Sequence, residues 1–340
     1  MGIVSPEKYN AMLDRAREKG FAYPAINITS SQTLNAAMKG FADADSDGIV
    51  QVSVGGGQYA SGQQLKDSVM GSLALAQYAR VLGAKYGVNI AIHTDHCAEK
   101  YLDSWLRPLL DIEAKQHKAG QPTSFNSHMW DGSSVTLDRN LEIAKELLEK
   151  TSALDMILEV EIGVVGGEED GEKAEINEKL YTTTDDALRT VEALGLGEKG
   201  RYTTALTFGN VHGVYKPGAV KLRPELLGTI QTEVGAKVGK ERPFDLVFHG
   251  GSGSSAEEIA LAVKNGVIKM NVDTDTQYAF TRPIAGFMFE NYDGVMKVDG
   301  EVGNKKKYDP RVWGKIGEES ISQRVVEAAQ QLGSAGKSMH

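Results

Sequence analysis

Cysteine is almost absent: the chain has 340 residues and a single thiol, Cys97, so no internal disulfide can form and a reducing compartment is expected. No stretch approaches eighteen consecutive apolar residues, which leaves no candidate membrane span. The first twenty residues, MGIVSPEKYNAMLDRAREKG, have no apolar segment followed by a small-residue cleavage site, so export through a signal peptide is not expected. Positive charge is also in short supply. Against 46 acidic side chains stand 37 basic ones, a net charge of −9, which disfavours a surface for non-specific nucleic-acid binding. Low-complexity linkers and internal repeats are missing too. What is present is an ordinary globular composition, 41% hydrophobic and 24% charged, able to bury a large core. A cytoplasmic globular chain is expected, either as two domains or as one α/β barrel of about 250 residues carrying additions.

Eight short apolar or β-branched runs recur along the chain, at 21–28, 48–54, 88–96, 124–131, 155–163, 202–209, 245–253 and 267–274. Their near-continuous apolar character is that of strands covered on both faces. Between them lie helix-like segments with caps, among them 31–40 beginning on Ser31, 98–117, 136–150 and 254–266. Ser5-Pro6 opens an extra helix before the first strand. Eight strands alternating with helices predict a (β/α)8 barrel over about 21–291, with a doubly wound open sheet as the rival. Beyond Asn291 the alternation stops, and 292–340 reads as an appendage, basic at Lys305-Lys306-Lys307 and ending in a helix near 318–332. Such an appendage is either a subunit contact or a solvated tail.

Polar residues gather where these runs end: Asn27, Ser53, Asp95 and His96, Asp131, Glu161, His212, His249, and Asn271 with Asp273. On a parallel barrel all those ends open on one face, where barrel active sites are built. Any one histidine there is most simply a hydrogen-bonded core residue. Three on different strand ends, beside carboxylates, are donors for a catalytic metal, and His96, His212 and His249 form the best triad, with Glu161 and Asp131 as further or alternative ligands.

The segment His249-Gly-Gly-Ser-Gly-Ser254 leaves a strand and enters a helix, an arrangement that suits a phosphate. It also contains Gly251-Ser-Gly253-Ser-Ser-Ala256, a match to the dinucleotide fingerprint, which keeps an NAD-dependent dehydrogenase as a rival of another reaction class. The long stretch 163–186 reads as a structureless, acidic loop, and Gly166-Gly167 beside Glu168 and Glu169 allows it to act as a hinged lid. Asp95, next to His96, is a second candidate acid or base. Cys97 lacks a base partner and reads as a packed residue.

Taken together, AIHTDHC (91–97), EVEIG (159–163), GGEEDG (166–171), FGNVHGVYKPG (208–218), FHGGSG (248–253), NVDTDTQ (271–277) and YDPR (308–311) resemble class II fructose-bisphosphate aldolase over nearly the whole chain. The resemblance implies a lyase that cleaves fructose 1,6-bisphosphate reversibly to dihydroxyacetone phosphate and glyceraldehyde 3-phosphate. It implies zinc on His96, His212 and His249, with Glu161 and Asp131 at alternative metal positions, and a monovalent cation (Na+ or K+) at the carbonyls of Val211, Gly213 and Gly250. The phosphate nearest the ketone would be gripped by Gly213, Gly250, Ser252, Asp273 and Thr274. Asn27 and Asn271 would face the substrate, and Ser53 with Arg311 the far phosphate, the arginine coming from the partner subunit of a homo-oligomer.

Asp95 would take the C4 hydroxyl proton, and Glu169, or its neighbour Glu168, would protonate the three-carbon product. Ile28 stands where many relatives carry cysteine, and Val54 where a smaller or polar residue is usual, so tagatose or sedoheptulose bisphosphate remains an alternative substrate.

Overall fold

The computed structural model describes residues 1–163, 180–212, 221–296 and 303–340, with the backbone alone at His212 and in two strands, Gly166–Glu169 and Glu172–Ala174. Each of the eight apolar runs contains a strand: β1 (Tyr23–Asn27), β2 (Gly48–Val52), β3 (Asn89–Cys97), β4 (Ser127–Trp130), β5 (Ile157–Ile162), β6 (Tyr202–Leu206), β7 (Leu246–Phe248) and β8 (Val267–Val272). Every strand pairs in parallel with the next, and β8 pairs with β1, so the sheet closes into a (β/α)8 barrel. Closure removes the open-sheet rival. A closed barrel has no crevice at a reversal of strand order, so the fingerprint at 251–256 loses the setting that dinucleotide binding needs.

Every residue of β1, β2, β3, β5 and β8 is buried, because barrel side chains cover one face and helices the other. The helix Pro6–Lys19, capped by Ser5, sets Tyr9, Met12, Leu13 and Ala16 against Tyr23, Ala25, Ile49, Ala91, Ile157 and Ile268. Those strand residues belong to the first halves of their strands, or nearly so. The N-terminal mouth of the barrel is therefore an apolar floor, and polar side chains are left for the opposite end.

Three local expectations change. The second helix, Ser31–Asp43, is capped by Ser30, not Ser31, with Thr33 returning the bond. The run 98–117 is not one helix: a 3-10 turn Glu99–Tyr101 and a wide π turn Leu102–Leu106 precede the α-helix Arg107–Lys118. Pro108 has no N–H to donate, so it begins a helix more readily than it continues one. Within 163–186, the described backbone is not structureless. Gly166–Glu169 pairs antiparallel with Glu172–Ala174 and parallel with Val211–His212, so the ladder takes up backbone groups otherwise left to solvent.

The final helix, Pro310–Gln331, is longer than expected and packs on the barrel's outer layer. Ile321, Val325, Ala328 and Ala329 are buried along it, and Val325 lies where only a glycine, Gly40, leaves room. This segment is a packed layer and not a solvated tail. The chain's last turn is also held, with Ser338 Oγ and Met339 N donating to Asp47 at 2.6 and 2.9 Å.

Candidate active site

The C-terminal mouth of the barrel gathers Asn27, Asp95, His96, Asp131, Glu161, His249 and Asn271 from six different strand ends. Asp95 accepts hydrogen bonds from three amides: Asn27 Nδ2 at 2.9 Å, Gln51 Nε2 at 2.9 Å and Asn271 Nδ2 at 3.0 Å. Its other neighbour is His96, whose Nε2 lies 3.9 Å from Asp95 Oδ1. Successive strand residues normally point to opposite faces, so Asp95 and His96 should not share a site. Here the pairing of β3 with β4 slips between Thr94 and Cys97, and His96 takes a left-handed φ of 43°. Such a bulge re-aims a side chain, and a non-glycine residue held in that region costs about 1–2 kcal/mol.

His96 Nδ1 bonds Asp131 Oδ2 at 2.9 Å and lies 3.9 Å from Glu161 Oε2. The His96 and His249 rings stand 4.8 Å apart. Each ring nitrogen of His249 meets a carboxylate at 2.9 Å, Nδ1 with Glu161 and Nε2 with Glu159. Burial alone would lower the His249 imidazole, but these two hydrogen bonds outweigh it and raise it to about 9. Burial and the nearby Asp131 charge push the Glu161 carboxyl upward. For Asp131 burial acts in the same upward direction, yet the bond and charge of His96, with Ser133, hold it below the ordinary carboxylate range. Glu159 is likewise opposed by burial and held well below that range, chiefly by Lys269.

One ligand atom each from Asp95, His96 and His249 lies within 4.8 Å of the others, and the same holds for His96, Asp131 and Glu161. Imidazole nitrogen with carboxylate oxygen is a donor set that zinc accepts, so these residues fit a divalent metal. The side chains of His212 and Glu169, like the whole of Gly213, lie outside the described residues. The backbone of His212 pairs with Gly167.

Beside this cluster, Asn210 Nδ2 donates to the His249 carbonyl at 2.9 Å. Gly250, at φ 60°, comes so close to Val211 that a side-chain carbon on it would fall 2.8 Å from the Val211 carbonyl. Asp275 N reaches Ser252 Oγ at 3.4 Å, tying the glycine-rich turn to the helix Thr274–Glu290, which Asp273 precedes and Thr274 begins. Ser53 caps the helix Val54–Ala60 through Gly56 N. Arg311 is not gathered with the others: its side chain is 82% exposed and pairs with Asp309 at 2.7 Å.

Two of the strand histidines are core residues. His128 sits between Glu113 at 2.7 Å and Thr94 at 2.8 Å, and His93 bonds Ser127 at 2.7 Å. Sequence reasoning passed over Gln51, Glu159 and Lys269, which lie inside the barrel among the site residues. A glutamate and a lysine in the middle of otherwise apolar strands were the available signal, since charges are buried only when partnered.

Comparison with known proteins agrees with this geometry. The family model described as "Fructose-bisphosphate aldolase class-II" matches residues 7–337. A fructose-bisphosphate aldolase of Streptomyces galbus is 65% identical over 336 residues, 99% of either chain, and one of Mycobacterium leprae is 59% identical over 342 residues, 100% of this chain and 99% of its own. The crystal structure of fructose-bisphosphate aldolase from Campylobacter jejuni superposes with a TM-score of 0.87 at 38% identity, covering 99% of this chain and 97% of that one.

Proposed function

The chain belongs to the class II fructose-bisphosphate aldolase family, and from that premise we infer which side chains carry the reaction. The enzyme is a metal-dependent lyase acting on a sugar phosphate: it splits D-fructose 1,6-bisphosphate reversibly between C3 and C4, giving dihydroxyacetone phosphate and glyceraldehyde 3-phosphate. The observation that supports the roles best is the meeting of Asp95, His96, Asp131, Glu161 and His249 at one barrel mouth.

Zinc is the metal proposed, held by His96, His212 and His249, with Asp131 and Glu161 as alternative ligands. Bound there, it supplies a Lewis acid for the ketone carbonyl. Asp95 takes the C4 hydroxyl proton as the C4–O bond becomes a carbonyl and the C3–C4 electron pair passes to the three-carbon fragment. Glu169 then delivers a proton to C3; Glu168 is its substitute in that role. The reverse direction uses the same groups. Asn27, Gln51 and Asn271 hold the Asp95 carboxylate in place for the first transfer, and Asn271 also faces the substrate.

The phosphate beside the ketone is assigned to Gly213, Gly250, Ser252, Asp273 and Thr274, a reading supported by the bond that ties the glycine-rich turn at Ser252 to the first turn of the helix Thr274–Glu290. A monovalent cation, Na+ or K+, is assigned to the carbonyls of Val211, Gly213 and Gly250, which the close approach of Gly250 to Val211 favours. Ser53 and an Arg311 from a second copy of the chain would take the far phosphate. The exposure of Arg311 supports a homo-oligomer, as do Tyr278 and Phe289, which are 63% and 82% exposed on one helix. Among the described residues no helix is long and apolar enough to cross a membrane, and with the single buried cysteine this favours the cytoplasm.

The test is cleavage of fructose 1,6-bisphosphate with and without EDTA, followed by added zinc. Loss and recovery of activity is expected. Activity that ignores the chelator and is trapped by borohydride would replace the zinc reading with a Schiff-base lysine.

A further inference from the structure

Lys269 lies on β8, two residues before Asn271, and is wholly buried, yet none of the roles above uses it. Its ammonium donates to Glu159 Oε1 at 2.9 Å and to Asn271 Oδ1 at 2.8 Å. An ammonium has donors only, so the Asn271 amide can turn nothing but its oxygen toward Lys269. That leaves Nδ2 to face outward, and it donates to Asp95 Oδ1 at 3.0 Å. The second oxygen of Asp95 is held differently. Asn27 Nδ2 and Gln51 Nε2 both reach Oδ2 at 2.9 Å, and those two amides also bond each other at 2.6 Å. An amide can present either end to another amide, so that pair does not set its own direction. The orientation on the Oδ1 side comes from a group that admits only one.

We propose that Lys269 is a positioning residue for carbon–carbon cleavage: acting through the Asn271 amide, it fixes the Asp95 carboxylate against the C4 hydroxyl. Glu159 is the counter-charge that lets an ammonium sit at this depth, since a buried charge is tolerated only when paired and hydrogen-bonded. The inference rests on Asp95 being the proton acceptor, and that assignment is tested separately by Asp95→Ala.

The experiment is a kinetic cycle over Lys269→Met, Asp95→Ala and the double variant, with bound zinc measured on each and a metal-free crystal structure of Lys269→Met. The lost hydrogen bond is one to a charged group, so kcat should fall about 10- to 100-fold while KM moves by less than about threefold. Zinc per chain should stay unchanged, and the crystal structure should show the Asn271 amide no longer bonded to Asp95. In the Asp95→Ala background the lysine change should cost no more than about threefold, through the substrate contact of Asn271, because there is no carboxylate left to position.

A full further loss in the double variant, or an intact Asn271–Asp95 bond in Lys269→Met, would overturn the proposal while Asp95 keeps its role. An unchanged kcat in Asp95→Ala would remove that role and this inference with it. If Lys269→Met does not fold with Glu159 left uncompensated, Glu159→Gln with Lys269→Met removes both charges together, and the same cycle and the same bond are read there.

Discussion

Replacing Gly250 by alanine puts the reading of the glycine-rich turn at risk in a calculable way. The residue has φ 60°, and the added carbon would lie 2.8 Å from both the carbonyl carbon and the oxygen of Val211. That is about 0.6 Å inside ordinary contact, and the obstacle is backbone, which cannot rotate away. The left-handed conformation costs alanine about 1–2 kcal/mol, and the overlap about 1–3 kcal/mol more. One side of the contact must yield. Val211 is held in a ladder to Gly166, whereas the turn reaches the helix Thr274–Glu290 through a long bond, 3.4 Å, from Asp275 N to Ser252 Oγ.

The turn should therefore move, taking the phosphate contacts and the proposed cation carbonyls with it. If about half of that 2–5 kcal/mol is expressed at the phosphate, KM for fructose 1,6-bisphosphate rises about 5- to 70-fold, with kcat less affected. Activation by K+ should also need more salt. Gly253→Ala is the control, because Gly253 has φ 86° but nothing within 4 Å of the new carbon. It carries the backbone cost without the collision. Steady-state kinetics and thermal melts of both variants decide the matter. A Gly250→Ala enzyme whose KM lies within about twofold of Gly253→Ala would refute the steric reasoning.

Asp95→Ala should lower kcat about 10²- to 10⁴-fold while zinc stays bound, and unchanged cleavage would remove Asp95 from proton transfer. Glu169→Ala should suppress exchange of the C3 proton of dihydroxyacetone phosphate with solvent, followed by NMR in D2O; normal exchange would reassign the step to Glu168. Cys97 is buried, and burial pushes its thiol above the ordinary range, so a thiol reagent should label no group in the native protein and one per chain after denaturation. Fast native labelling would mean that the end of β3 is less tightly packed than its contacts imply.

The strands and the barrel mouth at which the polar strand ends gather were legible from the chain alone. Strands covered on both sides must be apolar nearly throughout, and parallel strands bring all their C-terminal ends together, so polar residues at those ends marked the mouth in advance. The cap at Ser5 and Pro6 was equally local. So was the break in 98–117 at Pro108, in a segment whose apolar spacing otherwise suits a helix. Other features depended on neighbours distant in sequence. The strand pairing within 163–186 draws on Val211–His212, some forty residues later. Gln51, Glu159 and Lys269 look like stray polar residues until closure sets them beside Asp95, His249 and Asn271.

Residue type and order by themselves determined that this chain is a barrel with histidine and carboxylate donors at one end, because burial on both faces and backbone polarity act on each strand separately. The tertiary structure decided which donors meet and how they point. The slip between β3 and β4 turns His96 to the same mouth as Asp95, and the two carboxylates on His249 raise its affinity for a proton. The buried ammonium of Lys269 orients the amide that holds Asp95. Hydrogen bonds and charges act over about 3–4 Å, and only closure of the sheet brings residues from different strands within that range.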